Sequence, residues 1–133
     1  MASILKSIEI DAPADAVWDA VADFGAVHRR FAPGFVTNVE LIPGARMVTF
    51  SNGMVVKELF LGRDDEARRL AYSVRAENFQ HHSASFTVRD LGGGRSRLDW
   101  HADVLPDSIE PAVAGMMEQG LKVAKDVLGR VPA

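Results

Sequence analysis

From Arg97 to Val104 the chain alternates without a break. Leu98, Trp100, Ala102 and Val104 point one way, and Arg97, Asp99, His101 and Asp103 the other. That two-residue period predicts a strand over residues 95–104 with one apolar and one wet face. Residues 82–91 repeat it, with Ala84, Phe86 and Val88 opposite Ser83, Ser85, Thr87 and Arg89, and residues 70–76 set Leu70, Tyr72, Val74 and Ala76 on the apolar side. Residues 3–11, 35–42, 46–50 and 54–62 also read as strands. Pro43-Gly44 and Ser51-Asn52-Gly53 supply tight turns between the last three of these.

Elsewhere the period lengthens. Residues 14–22 predict a helix with Val17, Trp18 and Val21 on one side and Pro13 at its start, and residues 26–31 a second short helix ended by Pro33-Gly34. The longest helical pattern is residues 107–130. Ile109, Val113, Met116, Met117, Leu121, Ala124, Val127 and Leu128 form its apolar face, while Glu118, Lys122, Lys125, Asp126 and Arg130 lie opposite. Asp107 and Ser108 are the expected N-caps, Pro111 is tolerable in the first turn, and Gly129 and Pro132 stop the helix. Gly120 falls inside the apolar arc. A mid-helix glycine costs about 1 kcal/mol relative to alanine, so the backbone there is expected to lie close against a sheet or to border open space.

One strand, two short helices, about six more strands and one long helix make an α+β chain. Consecutive hairpins imply an antiparallel sheet, and only the C-terminal helix can cover its apolar face. The expected architecture is a curved sheet of about seven strands wrapped around that helix. Composition adds limits. The chain has 133 residues, enough for one core, and reads as a single domain over residues 1–133. A net charge of −3 gives no nucleic-acid surface. The absence of cysteine removes disulfide and thiolate chemistry and fits a reducing, cytoplasmic setting. No run approaches the roughly 20 apolar residues of a spanning helix, so no membrane insertion is expected.

The stretch Ile10-Asp11-Ala12-Pro13-Ala14-Asp15-Ala16-Val17-Trp18 resembles the opening of the START-like, or SRPBCC, superfamily, also described as polyketide cyclase/dehydrase-like or Bet v 1-like. Asp23-Phe24-Gly25 and Pro33-Gly34 stand where that family breaks its helices and begins the next strand. Val56-Lys57-Glu58, Asp64-Asp65 and Leu70-Ala71-Tyr72 are similar to its middle strands, and Trp100 stands where a tryptophan is frequent. The resemblance spans essentially the whole chain. It implies a helix-grip fold with a cavity between sheet and long helix. It also implies binding of lipids, sterols, hormones, flavonoids or polyketide intermediates, or polyketide cyclisation.

Glu58 is the sharpest departure from the pattern. Alternation groups it with Val56 and Phe60, and Lys57 with Val55, Leu59 and Leu61. Both groups are apolar, so the period does not choose between them. The resemblance turns Glu58 toward the cavity. A carboxylate there needs a partner or a raised pKa, and it could orient a ligand hydroxyl or exchange a proton. Otherwise it sits at the mouth or in solvent. By parity His82 looks inward with Ala84 and Phe86, as a candidate base or ligand donor or as a plain rim residue, and His81 looks out. Adjacent strand residues diverge, so the two histidines do not share an ion, and His28 and His101 show no ligand spacing. No metal and no cofactor is expected. Tyr72 and Trp100 face inward with polar tips that want partners when buried, as cavity walls or as plain core.

Phe60, Phe86, Val113, Met116, Met117 and Gly120 complete the expected lining, methionine suiting an adaptable wall. By the resemblance, Ser51, Asn52, Gly53 and Met54 form a gate at the cavity mouth. Gly92-Gly93-Gly94 joins strand to strand and is a hairpin turn, not a phosphate loop. Three functions stay open. The first is a monomeric or homodimeric binder of a small apolar ligand. The second is a cyclase or dehydratase using Glu58 and His82 with Tyr72 assisting. The third is a protein-interaction module with a filled interior. An apolar cavity of about 300 Å³ or more favours the first, converging titratable groups the second, and a filled interior the third.

Overall fold

Each segment with a two-residue period is a strand in the computed structural model, which describes residues 1–129. The strands are β1 (Ala2–Ile10), β2 (Val36–Ile42), β3 (Ala45–Phe50), β4 (Val55–Asp64), β5 (Arg69–Arg75), β6 (His81–Gly92) and β7 (Arg95–Leu105). They form one antiparallel sheet in the order β1-β7-β6-β5-β4-β3-β2. Hairpins join β2 through β7 in sequence, whereas β1 lies at the far edge beside β7. The chain between β1 and β2 therefore crosses the whole sheet, through α1 (Ala14–Ala22) and a π-helical turn, Val27–Phe31.

A single 3₁₀ turn, Asp107–Ile109, leads into the long helix α2 (Glu110–Leu128). This corrects the expected helix start. Neither Asp107 nor Ser108 caps α2 through its side chain, because the 3₁₀ turn intervenes, and Asp107 pairs with the N-terminal amine at 3.2 Å instead. Pro111 occupies the first turn, where its missing N–H breaks no helical bond. The Gly129 amide closes the helix on the Lys125 carbonyl at 3.0 Å. Arg130 and Pro132 lie outside the described residues.

The helix buries Val113, Met117, Gly120, Leu121, Ala124 and Leu128, with Ile109, Met116 and Val127 half-buried at the margins. Across from it the sheet buries Ile4, Ile10, Val48, Leu70, Val88, Leu98 and Val104. Full burial of a side chain such as Leu70 or Leu98 stabilises by about 1.5–3 kcal/mol. On the wet face Asp99 ties three strands together, accepting from Ser7 at 2.7 Å, Arg89 at 2.8 Å and Arg97 at 2.9 Å. No helix among the described residues is long and apolar enough to cross a membrane.

β4 settles the strand whose two faces periodicity could not separate. Val56 and Glu58 are buried, and Val55 and Lys57 are exposed. The alternation ends at a register shift between Phe60 and Gly62. A bulge bends its strand, and this one follows Phe60, which is still paired with Tyr72. Phe60, expected in the cavity lining, is 41% exposed and packs edge-on against Phe24 with ring centroids 5.4 Å apart.

Candidate functional site

The β3–β4 turn decides which side chains meet in the interior. Gly53 has φ +87°, a conformation that side-chain-bearing residues rarely adopt. It lets the turn close, with the Gly53 amide on the Phe50 carbonyl at 2.9 Å and the Phe50 amide on the Met54 carbonyl at 2.8 Å. The hairpin is centred on Asn52, and Arg46 and Glu58 are equidistant from it. They stand directly opposite each other, both turned inward, Arg46 3% and Glu58 7% exposed. Arg46 Nε donates to Glu58 Oε1 at 2.8 Å, and Nη2 lies 2.7 Å from the same oxygen. Nη1 donates to the Phe24 carbonyl at 3.0 Å, and the guanidinium lies 3.9 Å over the Phe24 ring.

Arg46 is thus the partner that an inward Glu58 requires, and nothing in its own strand pattern marked it. The signal lay in the turn: placing Asn52 at the centre of the hairpin is enough to bring the two residues into register. Both short contacts fall on Oε1, and no hydrogen bond from the described residues reaches Oε2.

Tyr72 and Trp100 satisfy each other in part. Trp100 Nε1 donates to the Tyr72 hydroxyl at 3.0 Å, while the hydroxyl's own proton has no acceptor among the described residues. Burial, reinforced by the nearby Glu58 charge, holds the Tyr72 phenol well above its ordinary pKa. It remains a hydrogen-bond donor. Phe86 packs on both rings, 6.0 Å from Tyr72 and 4.6 Å from Trp100, centroid to centroid.

Around this cluster the interior opens into two lobes that share Phe35, Phe50, Glu58, Tyr72 and Trp100. The first, about 40 Å³, adds Arg46, Phe86, Gly120 and the π-helical turn with its Val27 and Phe31. The second, about 50 Å³, adds Met54, Phe79, His82, Val113, Met116 and Met117. Of the lining expected from sequence, only Phe60 touches neither lobe. Of the expected gate, Met54 lines the second lobe, whereas Ser51, Asn52 and Gly53 are exposed and line neither. Each lobe has room for one or a few waters, far below the roughly 300 Å³ of a ligand pocket.

Gly120 meets both expectations for a glycine in the apolar arc. A Cβ there would stand 3.1 Å from Trp100 Cζ3 and 3.4 Å from Phe35 Cε2, and the residue also borders the first lobe. A side chain at this position would require the Trp100 ring to give way.

His82 faces the second lobe with the Phe79 ring edge-on at 5.0 Å, whereas His81 Nε2 shares a hydrogen bond with Ser83 Oγ at 3.0 Å. Burial, and secondarily the neighbouring His81, lowers His82 from 6.5 to about 4. Above pH 6.5 the ring is neutral in folded and unfolded chains alike. Between 6.5 and about 4 the unfolded chain takes up a proton that the folded one refuses, so acidification destabilises, by at most about 3 kcal/mol. In urea denaturation at pH 7 and pH 4.5, His82→Gln should lose distinctly less stability than the parent. Equal losses would mean that His82 is not a buried neutral ring. Among the described residues no group of three histidine or carboxylate side chains could hold a metal ion.

An open antiparallel sheet gripping one long helix is the helix-grip fold of START-like proteins. The chain belongs to the family described as polyketide cyclase / dehydrase and lipid transport, which it matches over residues 1–129. It is similar in structure to an uncharacterized protein from Bacillus thuringiensis, at 18% identity and TM-score 0.86, over 96% of this chain and 98% of that one. The Zhui aromatase/cyclase from a Streptomyces species superposes at TM-score 0.79 with 20% identity, over 97% and 94%. A START superfamily protein from Mycobacterium smegmatis does so at 0.72 with 17% identity, over 96% and 94%. At such identities the likeness is one of fold. No curated protein matches the chain in sequence.

Proposed function

We propose that this protein binds a small, largely apolar molecule carrying a hydroxyl group, in the space between sheet and α2 into which the two lobes expand. The observation that carries this reading is the pair of polar functions left open in an apolar interior: Glu58 Oε2, an acceptor, and the Tyr72 hydroxyl, a donor. A ligand hydroxyl that donates to the first and accepts from the second satisfies both. A buried ion pair is often no more stabilising than apolar residues of the same volume, so stability alone is a poor reason for Arg46 and Glu58 to be here.

The small lobe volumes set a condition on entry. Phe35, Phe50 and Met54 must move aside, and Phe50 and Met54 flank the Ser51–Gly53 turn, which makes that hairpin the proposed gate. A permanently filled interaction module matches the volumes but leaves the open polar functions unexplained. The cyclase reading needs a proton donor and a base. Glu58 Oε1 is held by Arg46 at 2.7 Å, and His82 near 4 is a weak base at neutral pH. Binding is therefore the better account.

Calorimetric titration of the full chain with 2-naphthol tests it. We expect saturable binding with a Kd below about 100 μM, in line with ordinary ligand efficiencies. Tyr72→Phe should weaken it about two- to tenfold, the worth of one neutral hydrogen bond. No saturable binding, or identical affinity in a folded Tyr72→Phe variant, would contradict the proposal.

A further inference from the structure

Three buried side-chain atoms have no hydrogen-bond partner among the described residues: His28 Nδ1, His82 Nδ1 and Ser96 Oγ. Of these residues only His82 lines a lobe. Its place in the sheet fixes where the residue lies relative to Glu58. Glu58 is paired with Val74 across β4 and β5, and the register that pairs Ser73 with Ser83 brings His82 level with Val74 on β6. Glu58 and His82 therefore lie in one row, two strand spacings apart, roughly 10 Å between Cα atoms. Both line the second lobe. Between them the lobe offers Val74 and the Tyr72 ring, and α2 closes it with Val113, Met116 and Met117. The second lobe thus has a polar function at each end and an apolar middle.

Its charge is as uneven as its shape. Glu58 is the charged residue in the lining of the second lobe, while Arg46 lines only the first and is already committed to Glu58 Oε1. A carboxylate entering the second lobe would meet a like charge with no free cation to offset it. Such a contact in a low-dielectric interior is strongly unfavourable.

We infer that the second lobe selects a neutral, elongated ligand with an oxygen function at each end, one bound by Glu58 and Tyr72 and the other by His82, and that it rejects carboxylates such as fatty acids. The inference rests on the ligand-binding reading above. His82 suits the second role because a neutral imidazole presents Nδ1 as donor or acceptor according to its tautomer, so it can meet a hydroxyl or a carbonyl. Burial keeps it neutral well below physiological pH, and so it offers no counter-charge to an anion.

Three ligands with the same two-ring body test this at pH 7.5 by calorimetry on the full chain: 2-naphthol, 2,6-dihydroxynaphthalene and 6-hydroxy-2-naphthoate. The diol should bind about tenfold tighter than 2-naphthol, and the hydroxynaphthoate at least about tenfold weaker than 2-naphthol. In His82→Phe the ratio of diol to 2-naphthol affinity should fall to near one, and His82→Gln, which keeps a hydrogen-bonding group, should restore part of it. A diol no tighter than 2-naphthol, a hydroxynaphthoate as tight as the diol, or a ratio unchanged in His82→Phe would each overturn the inference. The wild-type ratios decide alone if the variants fail to fold. Binding of 2-naphthol without diol preference defeats this inference and leaves the binding function standing. Failure of all three ligands to bind defeats both.

Discussion

Glu58→Gln should destabilise the protein by about 3–5 kcal/mol, the usual consequence of stripping one partner from a buried ion pair. Glutamine preserves the volume but leaves the Arg46 guanidinium, 3% exposed, charged and unpaired beneath the Phe24 ring. Removing both charges together has a different outcome. Arg46→Met combined with Glu58→Leu takes away the charges and leaves apolar groups that fit an apolar wall, so the double variant should recover to within about 1–2 kcal/mol of the parent or exceed it. Urea denaturation of the parent, the single variant and the double variant measures this directly. A single variant as stable as the parent would mean that the pair is solvated and not buried. A double variant no better than the single one would mean that the carboxylate holds something besides Arg46. Glu58→Gln is accordingly a poor probe of proton transfer, since any loss of activity would be mixed with loss of structure.

The second large effect belongs to Gly120. A Cβ at this position already stands 3.1 Å from the Trp100 ring and 3.4 Å from Phe35. Gly120→Leu adds a whole side chain to that contact and into the first lobe. Overpacking of this kind typically costs roughly 1–3 kcal/mol. With Phe35 and Trp100 pinned, neither lobe can expand, and affinity for 2-naphthol should fall at least about 100-fold, some 2.7 kcal/mol. A folded Gly120→Leu protein with parental melting and parental affinity would place the ligand, and the buried face of α2, somewhere else. The second lobe alone losing affinity is not an available outcome, because Phe35 and Trp100 are common walls of both.

Much of this arrangement was legible in the sequence, for reasons specific to each element. β5, β6 and β7 each have one wet face, so alternation fixes both their existence and their orientation, and His82, Tyr72 and Trp100 could be aimed inward by parity alone. β4 has apolar residues on both faces, and there the period is silent. Resemblance to known middle strands, not physical pattern, turned Glu58 inward. Arg46 carries no such sign, because an arginine in a short strand reads as a surface residue. Its burial depends on the hairpin register, which the Asn52-Gly53 turn encodes. Phe60 keeps its parity with Glu58 and pairs with Tyr72 ahead of the bulge, but it lies beyond the lobes, packed on Phe24, and how far along a strand a cavity reaches leaves no mark in the apolar pattern. Asp107 and Ser108 have cap-forming side chains, yet the 3₁₀ turn they occupy withdraws them from the first amides of α2. The size of the lobes depends on how Phe35, Phe50 and Met54 pack, and no local pattern specifies that.

Whether the interior between sheet and α2 takes up a hydroxylated apolar molecule can be read from the protein's two tryptophans. Trp100 donates its indole N–H to Tyr72 inside the lobes, whereas Trp18 donates to Asp65 at 3.2 Å and lines neither lobe. In a nitrogen-15 correlation spectrum each gives its own indole resonance. On titration with 2-naphthol the Trp100 indole signal should move saturably while that of Trp18 stays in place as an internal control. A Trp100 resonance that does not move at concentrations where calorimetry shows saturation, or a Trp18 resonance that moves in its stead, would show that the ligand does not enter the grip.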